Sequence, residues 1–207
     1  MYYFIKATVL VFGISLLLCA CVNLKQPSNK IEYYTLEYDP PLFTDRDQLP
    51  YGIRIERLTV APVYNTTQII YREQSFTRDA YVYHKWRVNP GDLVTYLLNR
   101  DIRYSGLFKT VIPYDSQFKA PFSLGGEVEE FYELDTEGGW NAVLSLSISL
   151  IAEDEEDINK KVLFQKSYRT TEACKQKNPL ALAEAISMGM SRLSKEIIED
   201  VYDCLSN

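Results

Sequence analysis

The sequence predicts an α+β domain: a mostly antiparallel or mixed sheet of about six or seven strands, with two amphipathic helices packed on one face. Three observations predict it. Short runs of alternating or β-branched apolar residues recur between Ile31 and Tyr168. Asn89-Pro90 and Asn178-Pro179 each open a stretch with apolar residues at helical spacing. Between Phe122 and Tyr168, three long strand-like segments follow one another with only turn-forming residues between them.

Taken in order, Ile31-Glu32-Tyr33-Tyr34-Thr35-Leu36 is aromatic and β-branched and reads as a first strand, stopped by Asp39-Pro40-Pro41. A loop runs to Pro50. Ile53 to Val60 alternates with period two, which predicts one half-buried strand with Ile53 and Ile55 inward and Arg54 and Glu56 outward. Pro62 ends it or marks an edge. Ile69 to Arg72 and Ala80 to His84 predict two short strands joined by a polar turn. Asn89 then serves as N-cap with Pro90 in the first helical position; Leu93, Val94, Leu97, Leu98 and Ile102 share a face, and Gly106 closes the helix.

Leu107 to Ile112 returns to strand, stopped by Pro113. Phe122 to Leu134 and Trp140 to Ile151 flank the turn Asp135-Thr136-Glu137-Gly138-Gly139. In the second of them Val143, Leu144, Leu146, Ile148 and Leu150 interleave with Ser145, Ser147 and Ser149, which are expected to face out. Glu153 to Asp157 makes the next turn and Val162 to Tyr168 the next strand. Leu182, Ile186, Met190, Leu193, Ile197 and Val201 mark one face of a long final helix.

The N-terminus is a processing segment. Lys6 gives a thin positive region, and Ala7 to Leu18 is an apolar run of twelve residues, short of the roughly 20 that a membrane-spanning helix needs. Leu18-Cys19-Ala20-Cys21 follows and resembles the lipobox of bacterial lipoproteins. A branched aliphatic sits three residues before Cys21 and small Ala20 sits at the cut, whereas cleavage before Cys19 would place bulky Leu18 there. The resemblance implies a signal peptide over residues 1–20 and a diacylglycerol and N-acyl chain, palmitate among them, on Cys21. Residues 21–30 are then a polar lipidated tether, and residues 31–207 a single domain. In the lipoprotein sorting rule an Asp after the lipidated cysteine retains the protein at the inner membrane. Val22 therefore points to the outer membrane, with the body in the periplasm.

The charge is −6 over the whole chain and −7 once Lys6 leaves. With no Lys or Arg cluster, nucleic acid and anionic headgroups are poor partners. Cys174 and Cys204 remain in the mature body, and a continuous final helix of roughly 36 Å from Pro179 to Asp203 would hold them apart, so no disulfide is predicted. His84 is the sole histidine and lacks a metal-binding partner motif. Glu153 to Asp157 lacks the spacing and glycine of a calcium loop. Gly125-Gly126 and Gly138-Gly139 precede no helix, and there is no GxSxG elbow. Catalytic, metal and cofactor-binding residues are therefore none, and the chain is expected not to be an enzyme. Sixteen tyrosines are many for a domain of this size. Tyr33, Tyr34, Tyr81, Tyr83 and Trp86 fit two roles: contact anchors, or cross-strand pairs that stabilise a sheet.

The lipobox, Tyr33-Tyr34-Thr35-Leu36, Ile55 to Val60 leading into Pro62, and Ile69-Ile70-Tyr71-Arg72 come in sequence. Tyr81, Tyr83 and Trp86 follow, and then a helix ending Tyr104-Ser105-Gly106-Leu107-Phe108 with Val111 after it. In this order they resemble the ABC-type transport auxiliary lipoprotein family, of the paraquat-inducible protein C type. The similarity runs from about Tyr33 to Ile198. It implies a lipoprotein partner of an MCE-domain (mammalian-cell-entry) transport system that moves lipids or other hydrophobic molecules between envelope membranes. Docking to an MCE protein and the outer membrane, and a homo-oligomer, are implied by the resemblance alone. A carrier with its own apolar cavity is the alternative, and an envelope hydrolase a third.

Overall fold

The computed structural model describes residues 30–206, and from Ile31 onward the chain forms one compact unit. The expected signal peptide, the expected lipidation site Cys21 and the expected tether up to Asn29 lie outside the described residues. The elements are β1 (Glu32–Tyr34), β2 (Leu49–Ile55), β3 (Thr59–Val60), β4 (Gln68–Arg72), β5 (Asp79–Trp86), α1 (Pro90–Ser105), β6 (Phe108–Pro113), β7 (Phe122–Thr136), β8 (Gly139–Ala152), α2 (Ile158–Lys161), β9 (Val162–Ala173) and α3 (Pro179–Ser206).

The fold is built around β7. Along one side it pairs antiparallel with β8, which pairs with β9, giving the expected meander. Along the other side the chain runs parallel to β7 in three steps: Ile53 opposite Phe122, Thr59 opposite Glu127, and Tyr71 opposite Glu133. Beyond those steps the sheet forks. One arm adds β6 parallel to β2, and the other adds β5 antiparallel to β4 and then β1 parallel to β5. The result is one open, mixed sheet of nine strands.

Both helices pack on this sheet and on each other, α3 over β8 and β9 and α1 over β6 and β7. Asn89 Oδ1 accepts from Gly91 N at 2.9 Å, and Gly106 closes α1 in the left-handed region at φ 69°. Asn178 Oδ1 caps α3 through Ala181 N at 2.9 Å. Leu182, Ile186, Met190, Leu193, Ile197 and Val201 are each 1% exposed or less, facing Leu144, Leu146, Ile148 and Leu150 of β8. Burying side chains of this size contributes about 1.5–3 kcal/mol each. Residues 35–48 cross over the helices as a strap. Glu37 N donates to Ser187 Oγ (3.1 Å), Tyr38 Oη to Asp101 (2.6 Å) and Tyr202 Oη to the Asp47 carbonyl (3.0 Å), while Arg46 pairs with Asp203.

Several expectations change in detail. The strand expected over Ile53 to Val60 is two, because the chain turns aside after Glu56, whose N still donates to the Leu124 carbonyl of β7 at 2.8 Å. Leu58 N donates to Thr95 Oγ1 of α1 at 3.0 Å instead of continuing the ladder. This division adds one strand, and the sheet holds nine against the six or seven expected. Ser145 does not face solvent: it is 4% exposed and donates to Glu129 at 2.9 Å, where a bulge between Val128 and Glu130 folds the glutamate over it. Strand β9 continues past Tyr168 to Ala173, and a single turn of helix, α2, follows the acidic run.

Candidate contact surface

The aromatic residues singled out in the sequence gather at the β1–β5 edge, and a bulge decides which way each one points. Gln68 pairs with Lys85 while Ile70 pairs with Ala80, so Tyr81 to His84 lie opposite the single residue Ile69. Four residues against one cannot keep strict alternation, and the excess chain bows outward. Val82 and Tyr83 are consequently 63% and 42% exposed, beside Tyr33 of β1 at 53%. The Arg87 guanidinium lies 5.3 Å from the Tyr33 ring centre.

Trp86 is not a contact residue in this fold. It is 1% exposed and meets Phe131 edge-on at 5.1 Å, because beyond the bulge the strand regains its register and the indole points into the core. Tyr34 and Tyr81 are half-buried. Tyr34 Oη donates to Glu32 at 2.8 Å and lies 3.1 Å from His84 Nδ1. Burial and the Glu32 carboxylate push its phenol up to about 12. The lone histidine is thus one partner in a polar bridge between β1 and β5, with its Nδ1 3.4 Å from Glu32.

Tyr81 turns inward and donates to both oxygens of Glu133, at 3.1 and 3.2 Å. Glu133 is fully buried, and its desolvation pushes the carboxyl from 4.5 up to about 7 against the lowering effect of the Tyr81 bond. Between those values the folded state holds a proton that the unfolded state has lost, so stability falls as pH rises from about 4.5 through 7. Allowing for partial solvent screening, the loss is about 2 kcal/mol. Glu133→Gln keeps an acceptor for Tyr81 and removes the charge. Urea titrations of this variant at pH 5 and pH 8 are expected to show a smaller difference than the parent; equal differences would place the titration elsewhere. Strand parity was the available signal for this residue, since Glu133 lies two positions from the core residue Phe131.

Cys174 lies just before α3 and Cys204 in its last turn, both as thiols. Burial, and then the Glu133 carboxylate, push Cys174 up to about 11. The acidic run serves local structure: Asp157 caps α2 through Asn159 N, and Glu153 accepts from Ser123. Among the described residues no cluster of side chains is placed to hold a metal, and no helix is long and apolar enough to cross a membrane.

Two surface clefts, of about 610 and 620 Å³, open to solvent. The first is lined by Arg54, Glu56, Lys119, Glu153 and Asp154, and Arg54 also donates to the carbonyls of Tyr114, Ser116 and Phe118. The second lies beside α1, with Tyr96, Tyr114, Arg57 and Asp92 in its wall. The space between helices and sheet is filled by the core side chains themselves.

Comparison with known proteins gives the family. The solved structure of protein XCC0632 from Xanthomonas campestris superposes with a TM-score of 0.75 at 13% identity, covering 84% of this chain and 95% of that one. Hypothetical protein CT253 from Chlamydia trachomatis superposes with a TM-score of 0.50 at 9% identity, covering 77% of this chain and 100% of its own. Identities this low speak to the fold alone. No curated protein matches the chain at a significant level. The family model described as the ABC-type transport auxiliary lipoprotein component matches residues 34–198. That match takes in the sheet from β2 to β9, α1 and most of α3, and the chain belongs to the family of ABC-type transport auxiliary lipoprotein components.

Proposed function

We propose that the protein is an outer-membrane lipoprotein, acylated on Cys21, that tethers an MCE-type transport system at its periplasmic end and serves its assembly without catalysis. The observation that carries the tether over the carrier is the sealed interface between helices and sheet. Residues of α3 that would line a lipid cavity are packed against β8 with 1% exposure or less. An acyl chain needs an enclosed apolar volume, while the two clefts described above are open and carry charged side chains. In this reading the transporter subunit docks on the polar sheet face that carries Ser147, Ser149, Gln165 and Arg169, opposite the helices. The lipid on Cys21 holds the complex to the membrane, and the cargo passes through the partner.

The test is recovery of the mature protein from its native envelope after mild crosslinking. Co-recovery of an MCE-domain subunit is the expected outcome. Recovery without such a subunit, but with stoichiometric extractable lipid, would favour the carrier instead.

A further inference from the structure

We propose that the β1–β5 edge is the surface that the domain lays against the membrane holding its anchor, with Ile31, Tyr33, Val82 and Tyr83 seated among lipid headgroups. This rests on acylation of Cys21, as proposed above. The argument begins with chain length. Ten residue steps separate Cys21 from Ile31, so the first residue of the compact unit can stand at most about 35 Å from the acylated cysteine. A domain of this size is about 40 Å across. The tether is therefore shorter than the body it holds, and the body's near side is the side where β1 begins.

That side is the one the bulge makes apolar. Val82 and Tyr83 bow out of β5, and Ile31 and Tyr33 stand exposed on the adjoining chain at 38% and 53%. Apolar side chains on an uncovered sheet edge invite association with other chains; a bilayer interface covers them without requiring a protein partner. Tyrosine suits that depth because its ring is apolar and its hydroxyl stays hydrated. One cation stands beside these apolar groups: Arg87 lies over Tyr33, where it can meet a lipid phosphate. The Glu32 carboxylate is engaged by Tyr34 and His84. The opposite edge, β9, lies five strand spacings away, about 24 Å.

The full-length lipidated protein, in vesicles of phosphatidylethanolamine and phosphatidylglycerol doped with a headgroup-proximal diazirine lipid, provides the test. After photolysis, peptides containing Ile31–Tyr34 and Val82–Tyr83 are expected to carry lipid adducts at least about fivefold above the β9 peptide. Val82→Ser with Tyr83→Ser, both at exposed positions, should lower the adduct yield on Ile31–Tyr34 without shifting the melting temperature. Equal labelling of both edges, or labelling confined to β9, overturns the proposal. The N-terminal peptide of the same digest separates the two readings. An acylated Cys21 with an unlabelled edge overturns the membrane-facing surface alone, and an unacylated Cys21 overturns the anchor and this proposal together.

Discussion

Gly126→Ala is expected to be the most damaging single-methyl substitution in the sheet, costing about 3 kcal/mol or more. A Cβ at Gly126 would stand 1.9 Å from the Ser147 carbonyl oxygen and 2.9 Å from its carbon, and φ there is +157°. The obstructing atoms are backbone of β8, so relief requires pulling β7 from β8 along the longest pairing in the sheet. Gly125 gives the control. Its Cβ would meet only the Glu56 side chain at 3.3 Å, and Gly125→Ala should cost about 1 kcal/mol. Urea midpoints of the two variants measure the contrast. Equal midpoints would mean that β8 yields where the geometry says it cannot. Against a total stability of about 5–15 kcal/mol, the Gly126 variant should also express poorly.

Asp101→Ala is expected to cost about 3–5 kcal/mol, for a different reason. Asp101 is fully buried and accepts from Arg100 Nε at 2.8 Å and from Tyr38 Oη at 2.6 Å, and the Arg100 guanidinium lies 4.4 Å from the Tyr38 ring centre. Burial and the aspartate together push the Tyr38 phenol well above its usual range. Without the carboxylate, Arg100 is left mostly buried without its counter-ion and Tyr38 without its acceptor. Because Tyr38 belongs to the strap, the loss should also appear as faster amide exchange over residues 35–48, which join β1 to β2. Asp101→Asn preserves an acceptor and should cost roughly half as much. A strap that stays protected in Asp101→Ala would show that the contacts of Glu37 and Tyr202 hold it without help.

The sequence made the helices and the meander legible because their signals are local. Asn-Pro caps, an αL glycine at 106 and apolar residues at helical spacing report the backbone directly, and all six apolar positions named for the final helix are buried. Less legible were features that depend on long-range pairing. That the chain leaves β7 after Glu56 so that Leu58 N bonds Thr95 cannot be read from an alternating run. The bulge at Glu129 that covers Ser145, and the bulge at Tyr81 to His84, arise from register against strands far away in the chain. The second bulge sorted the aromatic candidates. Trp86 went to the core, Tyr81 to Glu133, and only Tyr33 and Tyr83 stayed outside. Period-two alternation assigned Arg54 and Glu56 to the outside, and they do pair at 2.6 Å near the surface. The clamp that Arg54 places on the carbonyls of Tyr114, Ser116 and Phe118 had no sequence signature.

The function proposed above, a non-catalytic body held at a lipid surface, rests on acylation of Cys21. Intact-mass and N-terminal peptide analysis of the protein purified from its own envelope is the most direct measurement. A chain that begins at Cys21 and carries diacylglycerol and a third acyl group is the predicted result. A chain that retains residues 1–20, or begins at an unmodified residue, would contradict it.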